Sequence, residues 1–202
     1  MALFLPAIQQ LNQHNERPTV LIAPPYTPNK MVWDSYMNKP NNIGNQPNTA
    51  STALWFIRSN NLSEQLWATE QTLQSGCAST VICWLNGKKL RSIELKKLQL
   101  ASRQHSHTLS IIMRNHDAQS QPSPAALRLR LEPHLRPMTN KLIHNQSINK
   151  KSKSNVANTS KNSTKIISPT DLAISIIKQA GSWQREKIII PWHRHLQRPV
   201  MP

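Results

Sequence analysis

Glycine is scarce in this chain, with only Gly44, Gly76, Gly87 and Gly181 among 202 residues. A phosphate-binding loop of the G-x-x-x-x-G-K-[ST] kind needs glycines at fixed spacing, so that backbone amides can curl around phosphates without obstruction. Asn86-Gly87-Lys88-Lys89 has the Gly-Lys step but neither the earlier glycine nor a following Ser or Thr. Asn-Gly there is better explained as a turn. Acidic residues are scarce too, and the apolar run Val81–Leu85 ends in Asn86 rather than in a magnesium-binding carboxylate. With both halves of an ATPase apparatus missing, the sequence predicts a non-catalytic protein with no cofactor and no catalytic residues.

Only two cysteines are present, Cys77 and Cys83. Their spacing fits neither a disulfide framework nor a zinc site, so both are expected to be buried thiols in a reducing compartment. No apolar run approaches the roughly 20 residues of a membrane span. Met1–Leu5 lacks the basic start of a signal peptide, so the expected location is cytoplasmic. Aromatic residues make up 5% and hydrophobic residues 38%, enough for a core in part of the chain.

What the chain does have is positive charge: 25 Lys and Arg against 9 Asp and Glu, a formal net charge of +16. Such an excess points to nucleic acid or acidic protein as partner. Much of it falls in His134–Ser168, which carries Lys141, Lys150, Lys151, Lys153, Lys161 and Lys165 and no acidic residue. Too few apolar side chains are there to offset ordering at roughly 1–2 kcal/mol per residue. It is expected to be a disordered basic insertion.

The remaining pattern alternates strand and helix. Leu3, Phe4, Ala7, Ile8 and Leu11 recur at helical spacing. A strand at Thr19–Ala23 is closed by Pro24-Pro25. A helix over Pro28–Met37 carries Met31, Val32, Trp33 and Tyr36, and a loop over Asn38–Ser51 leads to a second strand at Ala53–Ile57. The next helix shows Leu62, Leu66, Trp67 and Leu73 and ends at Gly76, where a left-handed residue is favoured. Strand Ser79–Leu85, a helix over Lys88–Gln104 with Leu90, Ile93, Leu95, Leu98 and Leu100, and strand Leu109–Met113 follow. This alternation predicts an α/β fold, a mostly parallel sheet with helices on both faces.

After Pro124 the period changes. Leu127, Leu129 and Leu131 alternate with Arg128, Arg130 and Glu132, as in a sheet with one wet face. Leu172–Ile177 and Lys187–Ile190 flank the Gly181-Ser182 turn and are expected to form a C-terminal antiparallel hairpin closing the core sheet. The expected organisation is therefore a core over residues 1–133, the insertion over 134–168, the hairpin over 169–191 and a basic tail over 192–202.

Two H-x-H pairs, His105/His107 and His193/His195, could ligate a metal only with further ligands, which no neighbouring residue supplies. They are taken as exposed histidines in polar loops, and no metal site is expected. In the tail, Trp192, Arg194 and Arg198 have no core role and are candidates for a partner or DNA contact, with Trp192 able to stack on a base.

Two stretches together resemble a known family. Leu62–Gly76 is similar to the ALWAAEQALRSG helix of ImuA-type proteins, and Gln121–Pro133 resembles their QPSPAALRLRLEP segment almost letter for letter. Leu98–Ala101 and Ile176–Gly181 also match, so the resemblance covers roughly residues 3–133 and 171–191. The start, Leu5–Leu11, is shared with the related SulA cell-division inhibitors. The kinship implies a RecA-like fold with a degenerate nucleotide site and membership of the bacterial SOS response. It implies RecA, an ImuB-like protein and an error-prone polymerase in translesion synthesis as partners. Alternatively, it implies SulA-like binding of FtsZ that blocks its polymerisation. SulA-like proteins use an Arg, a Trp and a Lys for this; Arg17 and Trp33 stand in the matching Arg and Trp places, and no lysine stands near Ala53.

Overall fold

The computed structural model describes residues 2–14, 17–37, 53–85, 90–135, 169–179, 181 and 187–191. They fall into two compact units that divide after Ala125.

In the first unit, helix α1 (Leu5–His14) leads into strand β1 (Thr19–Ile22), then α2 (Lys30–Met37), β2 (Leu54–Ile57), α3 (Leu62–Ser75), β3 (Thr80–Leu85), α4 (Ser92–Gln104) and β4 (Leu109–Arg114). The four strands form one sheet in the order β2-β1-β3-β4, and every pair is parallel. Because side chains alternate across a strand, β1 and β3 feed two cores. Val20, Ile22, Val81, Cys83 and Leu85 face Ala68 and Leu73 of α3 and Leu95, Leu98 and Ala101 of α4. Leu21 and Ile82 face Ile8 of α1 and Trp33 and Met37 of α2. The continuous apolar run of β3 is thereby explained: it is covered on both faces. The expected parallel α/β arrangement is the one observed.

Local chemistry sets the helix ends. The Asn61 side chain accepts from the Glu64 amide at 2.8 Å at the start of α3, an N-cap. Gly76 closes α3 at φ 60°, its amide bonded to the Leu73 carbonyl. Helix α4 starts at Ser92, four residues later than expected. There the Glu94 carboxylate accepts from the Arg91 amide at 2.9 Å, and that hydrogen bond holds the Glu94 pKa below its ordinary value.

Three stripes read from the sequence differ from those observed; on α2 the buried residues are Trp33 and Met37, while Met31 and Val32 point to solvent. The buried face of α3 is Gln65, Ala68, Thr69, Thr72 and Leu73, while Trp67 is 65% exposed. The threonine hydroxyls are satisfied within the helix, Thr69 to the Gln65 carbonyl (2.6 Å) and Thr72 to the Ala68 carbonyl (2.7 Å). That back-bonding lets small polar residues enter the core and leaves the tryptophan outside. On α4 the buried residues are Leu95, Leu98 and Ala101, and Ile93 and Leu100 point to solvent.

The second unit is a sheet of β5 (Leu127–Leu135), β6 (Pro169–Gln179) and β7 (Lys187–Pro191), in that order. Both pairings are antiparallel. The expected hairpin is present as β6 and β7, but it does not extend the parallel sheet. Strand β6 lies between β5 and β7, so both its edges are used within this unit. The basic insertion also begins later than expected, because His134 and Leu135 are paired strand residues opposite Asp171 and Pro169. The rest of that insertion and the tail lie outside the described residues.

Candidate functional site

In an open parallel sheet, ligands bind beyond the carboxyl ends of the strands, at the point where successive connections depart in opposite directions. Here β1 connects to β2 on one side and β3 to β4 on the other, so that point lies between β1 and β3. The β1–α2 connection borders it and reads Ala23-Pro24-Pro25-Tyr26-Thr27-Pro28-Asn29. Three prolines there carry no N–H, so the segment cannot offer the run of amide donors that a phosphate requires. Ala23 turns the chain with φ 50°, a left-handed conformation that a non-glycine residue adopts only under tertiary constraint. Its amide donates to the Ile57 carbonyl at 2.8 Å, so that donor is already used. Asn86–Lys89, the Gly-Lys step, lies outside the described residues.

The two SulA-type positions are placed apart. Trp33 is 3% exposed and packs with Ile8, Leu21, Met37 and Ile82. Arg17 precedes β1, at the opposite end of the strand from the α2 connection, and its guanidinium donates to the Gly76 carbonyl at 3.0 Å. Gly76 caps α3, on the sheet face away from Trp33. The structure therefore does not bring these two side chains together. Trp192, Arg194 and Arg198 lie outside the described residues, as do His193 and His195.

His105 is structural: its Nε2 lies 2.9 Å from the Gln74 carbonyl oxygen, which ties the end of α4 to the end of α3. Among the described residues, no cluster of three His, Cys, Asp or Glu could hold a metal ion, and no helix is long and apolar enough to cross a membrane. Cys83 is buried as expected, and burial pushes its pKa up to about 11 against a hydrogen bond from Thr69 that lowers it. Cys77 departs from the expectation: it is exposed, and Ser75 Oγ donates to its sulfur at 3.1 Å. It lies between the glycine cap of α3 and Ala78, where the chain re-enters the core.

The thirteen-residue segment Gln121–Pro133 has two roles. Its start is moored in the first unit: Arg114 donates to the Gln121 side chain at 2.7 Å, and Gln99 of α4 donates to the Pro124 carbonyl at 2.8 Å. Its end is most of β5, where the alternation of leucine and arginine builds a two-faced strand. Leu129, Leu131 and Pro133 share a face with Ile176, Ile174 and Leu172 opposite them. Arg130 and Glu132 lie on the other face and pair with each other.

Sequence reasoning missed one surface. The outer side of α3 and α4 exposes Trp67, Ile93 and Leu100, at 65%, 59% and 54%. The signal was available in the threonines of α3, which at i−4 spacing can satisfy themselves and take the inner face.

No protein-family model matches the chain. No curated protein matches it either. Among solved structures, the chain is similar to SulA from Pseudomonas aeruginosa, with 20% sequence identity over 56% of this chain and 85% of that one, at a TM-score of 0.38.

Proposed function

We propose that this chain is a non-catalytic accessory protein of the bacterial SOS response that supports translesion DNA synthesis. In this reading it is ImuA-like and acts by contacts with RecA and with ImuB-like components of an error-prone polymerase. The observation that carries the non-catalytic half is the β1–α2 connection. Three prolines and an engaged Ala23 amide stand where a nucleotide-binding sheet would present donors. The similarity of Leu62–Gly76 and Gln121–Pro133 to ImuA-type segments supports the choice of partners. With the tip of β1 unsuited to phosphate, the exposed surface and the tail carry the function in this reading, Trp192, Arg194 and Arg198 being the residues assigned to the partner contact.

The second reading is a SulA-like inhibitor that binds FtsZ, supported by the match of Arg17 and Trp33 in sequence. Burial of Trp33 and the engagement of Arg17 with Gly76 weigh toward the first reading. Capture on immobilised RecA and ImuB, with the full chain and with a chain ending at Pro191, tests the proposal. Capture that is lost on truncation is expected, and unchanged capture removes the tail from the account. Absence of capture, together with suppressed light scattering by polymerising FtsZ, would replace the first reading by the second.

A further inference from the structure

Helices α3 and α4 pack side by side on one face of the parallel sheet, so their outer sides form a single layer. Helix α3 contains Glu64 and Glu70 and no Lys or Arg, in a chain with net charge +16. Helix α4 contains Lys96, Lys97 and Arg103, all exposed, and its single acid, Glu94, is bonded to Arg91. Among the described residues no ion pair joins the two helices; Lys30–Asp34, Arg91–Glu94 and Arg130–Glu132 are each local in sequence.

The two helices carry matching rows. On α3, Glu64, Trp67 and Glu70 follow one another at steps of three, with the 65% exposed indole between two carboxylates. On α4, Lys97, Leu100 and Arg103 follow at the same steps, with the 54% exposed leucine between two cations. At 1.5 Å per residue the outer charges of each row are about 9 Å apart along the axis. One row is therefore the charge complement of the other at equal spacing.

We propose that this layer docks a second copy of the same chain. A two-fold axis running along the helices places each α3 over the partner's α4, so that the acidic helix meets the basic one twice, an isologous contact. Duplex DNA would satisfy α4 but bring phosphates against Glu64 and Glu70. An acidic peptide would likewise bring no cation to the α3 row, whose carboxylates accept only neutral donors, Ser59 to Glu64 and Gln74 to Glu70. Only a surface that carries both rows answers both. The overall charge of +16 works against self-association, which puts the weight of the contact on these side chains.

The test is sedimentation equilibrium of the full chain over a concentration series. A monomer–dimer equilibrium is expected. Trp67→Ala should weaken it about tenfold or more, as for a central aromatic anchor. The double swap K97E/R103E should abolish it, as should E64K/E70K. Mixing the two swapped chains should restore a dimer, because each then presents the complement of the other. Circular dichroism checks that the swapped chains stay folded; if they do not, Trp67→Ala and Leu100→Ala must each still weaken the dimer. A chain that is monomeric throughout, a dimer indifferent to these changes, or folded swapped chains that fail to pair overturns the proposal.

Discussion

Arg17 Nη1 donates to the Gly76 carbonyl oxygen at 3.0 Å across 59 residues of sequence. The bond ties the segment entering β1 to the C-terminal cap of α3. A helix C-terminus leaves carbonyls without partners, and a guanidinium beside it is favoured by the helix dipole as well.

Arg17→Ala is therefore expected to act on folding. A partly buried hydrogen bond from a charged donor contributes about 1.5 kcal/mol, and the chemical-denaturation midpoint should fall accordingly. An unchanged midpoint would show that Arg17 is free for another role.

Gly76→Ala should cost more. The left-handed φ of 60° carries about 1–2 kcal/mol for a residue with a Cβ, and that Cβ would lie 2.7 Å from the His105 ring. Combining it with His105→Ala should recover the steric part and leave the backbone part. That non-additivity, read by denaturant titration, distinguishes a packing conflict from a purely conformational one.

Ala23→Gly is expected to stabilise. Relief of the left-handed strain at φ 50° is about 1–2 kcal/mol, and the extra unfolded-state entropy of glycine takes back roughly 0.5–1 kcal/mol. The thermal midpoint should rise by a few degrees. A fall would mean that Ala23 contributes packing beyond its backbone role.

The two thiols should separate by reactivity. At neutral pH a thiol reagent should titrate exposed Cys77 in the native protein and reach Cys83 only on unfolding. The thiolate is the reactive form, and burial pushes Cys83 up to about 11 from 9.0. Because its folded pKa is raised, the unfolded chain loses this proton first. Stability is complete below pH 9 and declines between about pH 9 and 11, by about 2–3 kcal/mol in all. A Cys83→Ala chain should lack that share of the alkaline decline; an identical decline would contradict the assignment.

The parallel sheet was legible because β1 and β3 are short apolar runs between helices and because Gly76 marks the end of α3. The hairpin was legible as a pair of strands, but its sheet was not. Periodicity shows that Leu127, Leu129 and Leu131 share a face, and it does not say which neighbour pairs with β5. Nor did it give the side of Trp67, since an aromatic at helical spacing looks like core until Thr69 and Thr72 are counted as self-satisfied. The burial of Trp33 and the engagement of Arg17 are tertiary facts, set by what packs across the sheet. Of the candidate contacts, Trp192, Arg194 and Arg198 remain sequence expectations.

The central claim is that exposed surface, and not the strand tips, performs the work of this protein. Isothermal titration of the purified chain with ATP and magnesium tests it most directly. No saturable heat and no release of phosphate is the predicted result; magnesium-dependent, saturable ATP binding with turnover would contradict it.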